Sequence, residues 1–131
     1  MQIPLRFTYT NVLLDKTHLE DPWSNIITSM ANTGNNEIIV NSLLLESYLR
    51  TNYPDYKFIS STTKCILDND DIEKEAENYY LTVLDYRKNP DIDFLKTLKH
   101  PEKYELLINA YCNPKCSHRA DHYMAISEFQ L

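Results

Sequence analysis

The densest set of reactive side chains is Cys112, Cys116, His118, Arg119 and His122: two thiols, two imidazoles and a guanidinium within eleven residues. Thiolate and imidazole are ligands for soft and borderline cations, zinc and iron among them. Cys112 and Cys116 lie four apart around Asn113-Pro114, a spacing that can turn both sulfurs to one point. His118 and His122 share a helix face at i, i+4. Cys65, at the end of an earlier strand segment, adds a third sulfur, and there is no fourth cysteine. Three readings of these thiols stand side by side: ligands for zinc or an iron–sulfur cluster, small apolar residues in a core, or a reactive thiolate.

Asp85, after Leu81-Thr-Val-Leu84, is the candidate acid or base outside that segment, because a carboxylate at the mouth of an α/β fold is partly desolvated. It equally suits a helix cap or an ion pair with Arg87 or Lys64. A nucleophilic triad is poorly served: Ser60, Ser61, Thr62 and Thr63 lack the glycines of a nucleophile elbow and have no histidine nearby. Gly34 is the only glycine, which excludes the Gly-rich loops of dinucleotide and P-loop sites.

At 131 residues and 15.4 kDa, with 43% hydrophobic and 24% charged residues, the composition is that of one globular domain spanning 1–131. Thirteen Lys and Arg against nineteen Asp and Glu give a net charge of -6, with no basic run longer than a pair, which argues against gripping a nucleic-acid backbone. No apolar run approaches the ~20 residues that span a bilayer, and the N-terminus lacks a charged-then-apolar signal pattern. With an odd number of cysteines, this predicts a cytoplasmic protein.

Five short β-branched and aromatic segments read as strands: 5–10, 37–41, 57–61, 80–85 and 104–109. Helical spacing covers roughly 24–32, 43–51, 70–78 and 92–98, with Ser42 and Asp70 or Asp71 as N-caps. Alternation of this kind predicts an α/β fold with five parallel strands covered by helices, either a partial TIM barrel or an open flavodoxin-like sheet. In such folds function collects at the carboxyl ends of the strands. Those ends carry Thr10-Asn11, Asn41-Ser42, Ser60 to Cys65, Asp85-Tyr86-Arg87 and Asn109, a polar set that either caps and stops elements or rims one cleft.

The stretch Leu106-Leu-Ile-Asn109-x-x-Cys112-x-Pro-x-Cys116-x-x-Arg119-x-x-His122-Tyr123 resembles a signature of the bacterial U32 peptidase-like, or collagenase-like, TIM-barrel proteins. The segments ending at Asn11, Ser42, Lys64 and Tyr86 are similar to successive strand ends of those proteins. The resemblance implies the C-terminal part of a barrel with a site on its carboxyl rim. In several branches of the grouping, cysteines there hold a [4Fe-4S] cluster used in anaerobic hydroxylation of tRNA bases or quinone precursors. Carried over, Cys112 and Cys116 become ligands, with Arg119 and His122 nearby on the rim.

These lines lead to a partial barrel whose rim binds a small polar ligand or a metal centre. Cys65, Cys112 and Cys116 would ligate, Asn11, Asn41, Asn109 and Arg119 would bind the ligand, and Asp85 and His122 would handle protons. A partial barrel exposes two sheet edges, which predicts a homo-oligomer or a polypeptide that completes the barrel. The competing expectation is a non-catalytic interaction or structural protein, favoured by ten tyrosines, a residue type enriched at interfaces.

Overall fold

The computed structural model of the chain describes residues 3–110, 112–113 and 115–131. The strands are β1 (Arg6–Tyr9), β2 (Glu37–Val40), β3 (Lys57–Ser60), β4 (Leu81–Val83) and β5 (Tyr104–Glu105). The helices are α1 (Pro22–Met30), α2 (Leu43–Asn52), α3 (Asn69–Asn78), α4 (Ile92–Thr97) and α5 (Arg119–Gln130). All strands are parallel, in one sheet ordered β1-β2-β3-β4-β5. Right-handed crossovers in that unreversed order put successive helices on one face, the winding of a barrel segment; a doubly wound sheet reverses at a switch point.

Local chemistry sets the element ends. Ser42 caps α2 by accepting from Leu45 N, as expected. For α3 the cap is Asp68, which accepts from Asp70 N and Asp71 N at 3.0 and 3.1 Å, so the expected caps Asp70 and Asp71 are first-turn residues instead. Gly34 has φ 80° in the loop between α1 and β2, where a side chain would be strained.

Side chains alternate across the sheet. Ile38, Val40 and Phe58 face the helices and pack with Leu49, Tyr56 and Tyr79 into one cluster; Leu84 meets Ile72 and Phe94 in a second. Ile59, one residue out of phase with Phe58, belongs to the opposite, inner face and is fully buried there.

That burial reflects a sheet curled on itself. Arg6 of β1 donates through Nε to Glu37 at 2.7 Å, and through Nη1 to both carboxylate oxygens of Glu105 on β5 at 2.9 and 2.7 Å. In a flat sheet β1 and β5 would stand four strand spacings apart, roughly 19 Å, beyond the span of an arginine and a glutamate together. The register sharpens the point. Arg6 aligns with Glu37 and Lys57, whereas Glu105 pairs with Val83, two residues beyond the Leu81 that aligns with Ile59. Arg6 therefore meets a residue displaced towards the carboxyl end, the stagger that closing a barrel requires. At the carboxyl end, Asn11 Nδ2 donates to the Ser127 carbonyl at 3.0 Å and Val12 N to Ser127 Oγ at 3.2 Å, so α5 crosses the strand ends and closes the same gap. The two expected sheet edges thus face one another.

The fifth strand is shorter than expected. It ends at Glu105, not Asn109, because β4 offers partners only at Thr82 and Val83, with one further bond from Leu84 N to Glu105 O, before Asp85 turns the chain away. Asn109 consequently lies exposed in a turn.

Candidate metal centre

Three consecutive residues after β4 organise the rim. Asp85 accepts from Arg87 N at 2.9 Å and forms a two-pronged pair with the Arg87 guanidinium, Oδ1 to Nε at 2.8 Å and Oδ2 to Nη2 at 2.9 Å. Its Oδ2 also stands 3.1 Å from Arg119 Nε, a contact that is ionic because the N–H direction misses the oxygen. Arg119, the first residue of α5, is buried, lies 4.2 Å over the Tyr86 ring and 5.0 Å from the centre of Tyr123, and reaches Thr62 Oγ1 at 3.3 Å. The Tyr86 hydroxyl donates to the Asn113 carbonyl, and Arg87 Nη1 to the Cys116 carbonyl at 3.3 Å. Asp85, Tyr86 and Arg87 therefore fasten the start of α5 and the cysteine loop before it.

Within that loop Cys116 N donates to Asn113 O at 2.9 Å and Lys115 N to Asn113 Oδ1 at 3.0 Å, a tight turn between the two cysteines. The turn and the first helical residues bring Cys112, Cys116 and His122 together, with a ligand atom of each within 4.8 Å of the others. Cys112 and Cys116 are half-buried and His122 is exposed. Two thiols and one imidazole at this separation are three of the donors that a tetrahedral zinc site uses.

Electrostatics differ across the group. Tyr86 beside Cys112, helped by Cys116 and Arg119 and opposed by desolvation, holds the Cys112 thiol below its ordinary value. Tyr86 itself is pushed up to about 12, first by burial and then by Cys112. For Cys65, burial and the Asp85 charge raise the thiol against the pull of Arg119 and Arg87. Burial also tends to raise Asp85, yet Arg87 and Arg119 outweigh it and keep the carboxyl below its ordinary value.

The residues expected at the rim have separate fates. Cys112, Cys116 and His122 converge. Cys65 lies beside Asp85 and Arg119 but outside the converging group, at φ 56° and ψ 33°, the one left-handed residue other than glycine among the described residues. His118 is exposed and bonded to Asp121 at 3.1 Å, also outside the group. Asn41 Nδ2 donates to Thr63 Oγ1 at 2.7 Å, tying the end of β2 to the loop after β3, and Asn11 holds α5. Asp85 has the cap and ion-pair geometry foreseen as its structural alternative, with Arg87 as partner, while Lys64 pairs with Glu75 at 2.5 Å. Arg119 spends its charge on Asp85. Tyr86 and Arg87 anchor the cysteine loop, a task that the sequence does not announce, since nothing local ties them to residues 27 and 29 positions away.

A cleft of about 470 Å³ lies elsewhere, between the end of β1, α1, α2 and the last residues of α5; of the expected ligand-binding residues it includes only Asn11. Its polar groups are largely paired with one another: Tyr9 with Thr28 at 3.0 Å, Tyr48 with Asn25 at 2.7 Å.

Fold and site together define a curled, singly wound α/β protein with a thiol–imidazole cluster on the carboxyl rim of its parallel sheet. Compared with family models, curated proteins and solved structures, the chain finds no match.

Proposed function

We propose that the chain is a metal-binding protein holding a single zinc-type cation through Cys112, Cys116 and His122, with the open fourth position taking water or a small polar ligand. The observation that carries this is the convergence of the three ligand atoms within 4.8 Å. Two thiolates and one imidazole are a donor set that zinc accepts, with three protein ligands and one exchangeable position. A four-iron cluster needs a fourth ligand, and Cys65 lies outside the group, so one cation suits the site better than a cluster. The spacing from Cys112 to His122 is also what supports kinship with the U32 peptidase-like barrels, and on that kinship the metal sits where those barrels carry their sites. Three free thiols favour a reducing, cytoplasmic setting.

The test is metal analysis of protein purified without oxygen, followed by titration with Co²⁺ as a spectroscopic stand-in. One equivalent of zinc is expected, together with a tetrahedral cobalt spectrum carrying sulfur-to-metal charge transfer. Both should vanish in Cys112→Ser/Cys116→Ser, and affinity should fall at least about tenfold in His122→Ala. Iron with cluster absorbance would replace the zinc assignment, and no bound metal with no cobalt spectrum would overturn the site.

A further inference from the structure

Helix α1 is mounted with its polar side inward. Trp23, Ile26, Ile27 and Met30 recur at i, i+3, i+4 and i+7, the stripe that normally faces a core. Here they are 72, 50, 50 and 79% exposed, while Thr28 on the other side is 2% exposed. The orientation is held by four tyrosine hydroxyls. Tyr48 and Tyr53 each donate to Asn25 Oδ1 at 2.7 Å, Tyr56 donates to the Thr28 carbonyl at 2.8 Å, and Tyr9 bonds Thr28 Oγ1 at 3.0 Å. Rolling the helix to bury its stripe would break all four and drive Asn25 and Thr28 into solvent. The outward apolar face is therefore built into the fold.

We propose that this face is a homodimer interface, with the α1 stripe of one copy packed on the α1 stripe of a second. Charge points to a second copy: each chain carries -6, yet Pro22–Met30 contains no charged residue, so two copies can approach there without bringing like charges together. An identical stripe is also self-complementary, as a two-fold interface demands. Area agrees. At ~200 Å² for each fully exposed large side chain, the four offer about 500 Å² per copy and about 1,000 Å² per pair, the lower bound for a specific interface. A membrane surface fits less well, because helices lying on lipid carry Lys or Arg on their polar side, and α1 has neither.

Trp23 is the only tryptophan, so its emission reports this surface directly. Sedimentation velocity and fluorescence across a wide concentration range should show the mass rising to twice 15.4 kDa as the emission shifts to the blue. Ile26→Glu/Met30→Glu should weaken self-association at least about a hundredfold, since like charges would meet across the two-fold axis. Ile92→Glu, on α4 towards the β5 end of the sheet, should leave it intact. A monomer with solvent-exposed Trp23 emission at every concentration overturns the proposal, without recourse to any variant. A dimer that forms without an emission change does so too, as does blue-shifted emission seen only with lipid vesicles.

Discussion

Replacing Asp85 by Asn keeps the shape, and keeps an acceptor for Arg87 N, since asparagine caps as well as aspartate. What it removes is the charge facing two guanidiniums. The Asp85 side chain is fully buried and that of Arg119 only 5% exposed, so water cannot replace the lost partner. Breaking a buried pair from one side costs about 3–5 kcal/mol. For a domain of this length each kcal/mol lowers Tm by about 3–4 °C, so thermal unfolding followed by circular dichroism should shift down by roughly 10–20 °C. Adding Arg119→Met to Asp85→Asn removes the more deeply buried of the two stranded cations, so the double variant should lose less than the sum of the singles by about 0.5–3 kcal/mol. The pH dependence has a defined sign. A folded carboxyl held below its ordinary value of 3.8 stabilises fully above that pH and loses its contribution as pH falls through the lower folded value. The gap between wild type and Asp85→Asn should therefore stay constant from neutral pH down to about 5 and close only below 3.8. A loss under about 1 kcal/mol, or a gap already shrinking near neutrality, would refute the buried-pair account.

Arg6→Gln tests the closure of the sheet: the pair with Glu105 is about one-third exposed on each side, so the stability loss in urea should stay near 1 kcal/mol or below, while amide exchange in β1 and β5 quickens. Equal exchange in wild type and variant would mean that the pair does not hold the ends together. Ile59→Ala, at 0% exposure on the inner face, should cost about 2–5 kcal/mol by urea unfolding, and a loss below about 1 kcal/mol would show that the inner face is not packed.

Strand and helix alternation was legible because short β-branched and aromatic runs such as Glu37-Ile-Ile-Val-Asn and Lys57-Phe-Ile-Ser-Ser are local patterns, and so is the Ser42 cap. Other features depend on distant partners. The end of β5 is set by the length of β4, which stops at Val83, so the apolar run Leu106-Leu-Ile108 reads as strand in isolation and is not one. The direction of the α1 stripe is decided by tyrosines from β1, α2 and β3 and their flanks, and the stripe alone predicts the opposite mounting. At the site, the four-residue spacing foretold the meeting of Cys112 and Cys116, and the helix period put His122 within reach but could not choose it over His118. That choice follows from where α5 begins, which Asp85 fixes by holding Arg119.

The contact between Arg6 and Glu105 joins residues 99 apart. Closing a loop of that length carries an entropy cost of about 4 kcal/mol, more than an ion pair exposed by about one-third returns. The bond is therefore a late event in folding, formed only when four crossovers have already carried the two ends together. Until then nothing holds the two outer strands, which share no backbone ladder with each other, face to face, and α5 has no completed rim to cross. Non-local contacts of this kind slow folding, so the nascent chain spends its most vulnerable interval with two strands open to any neighbour that can pair with them.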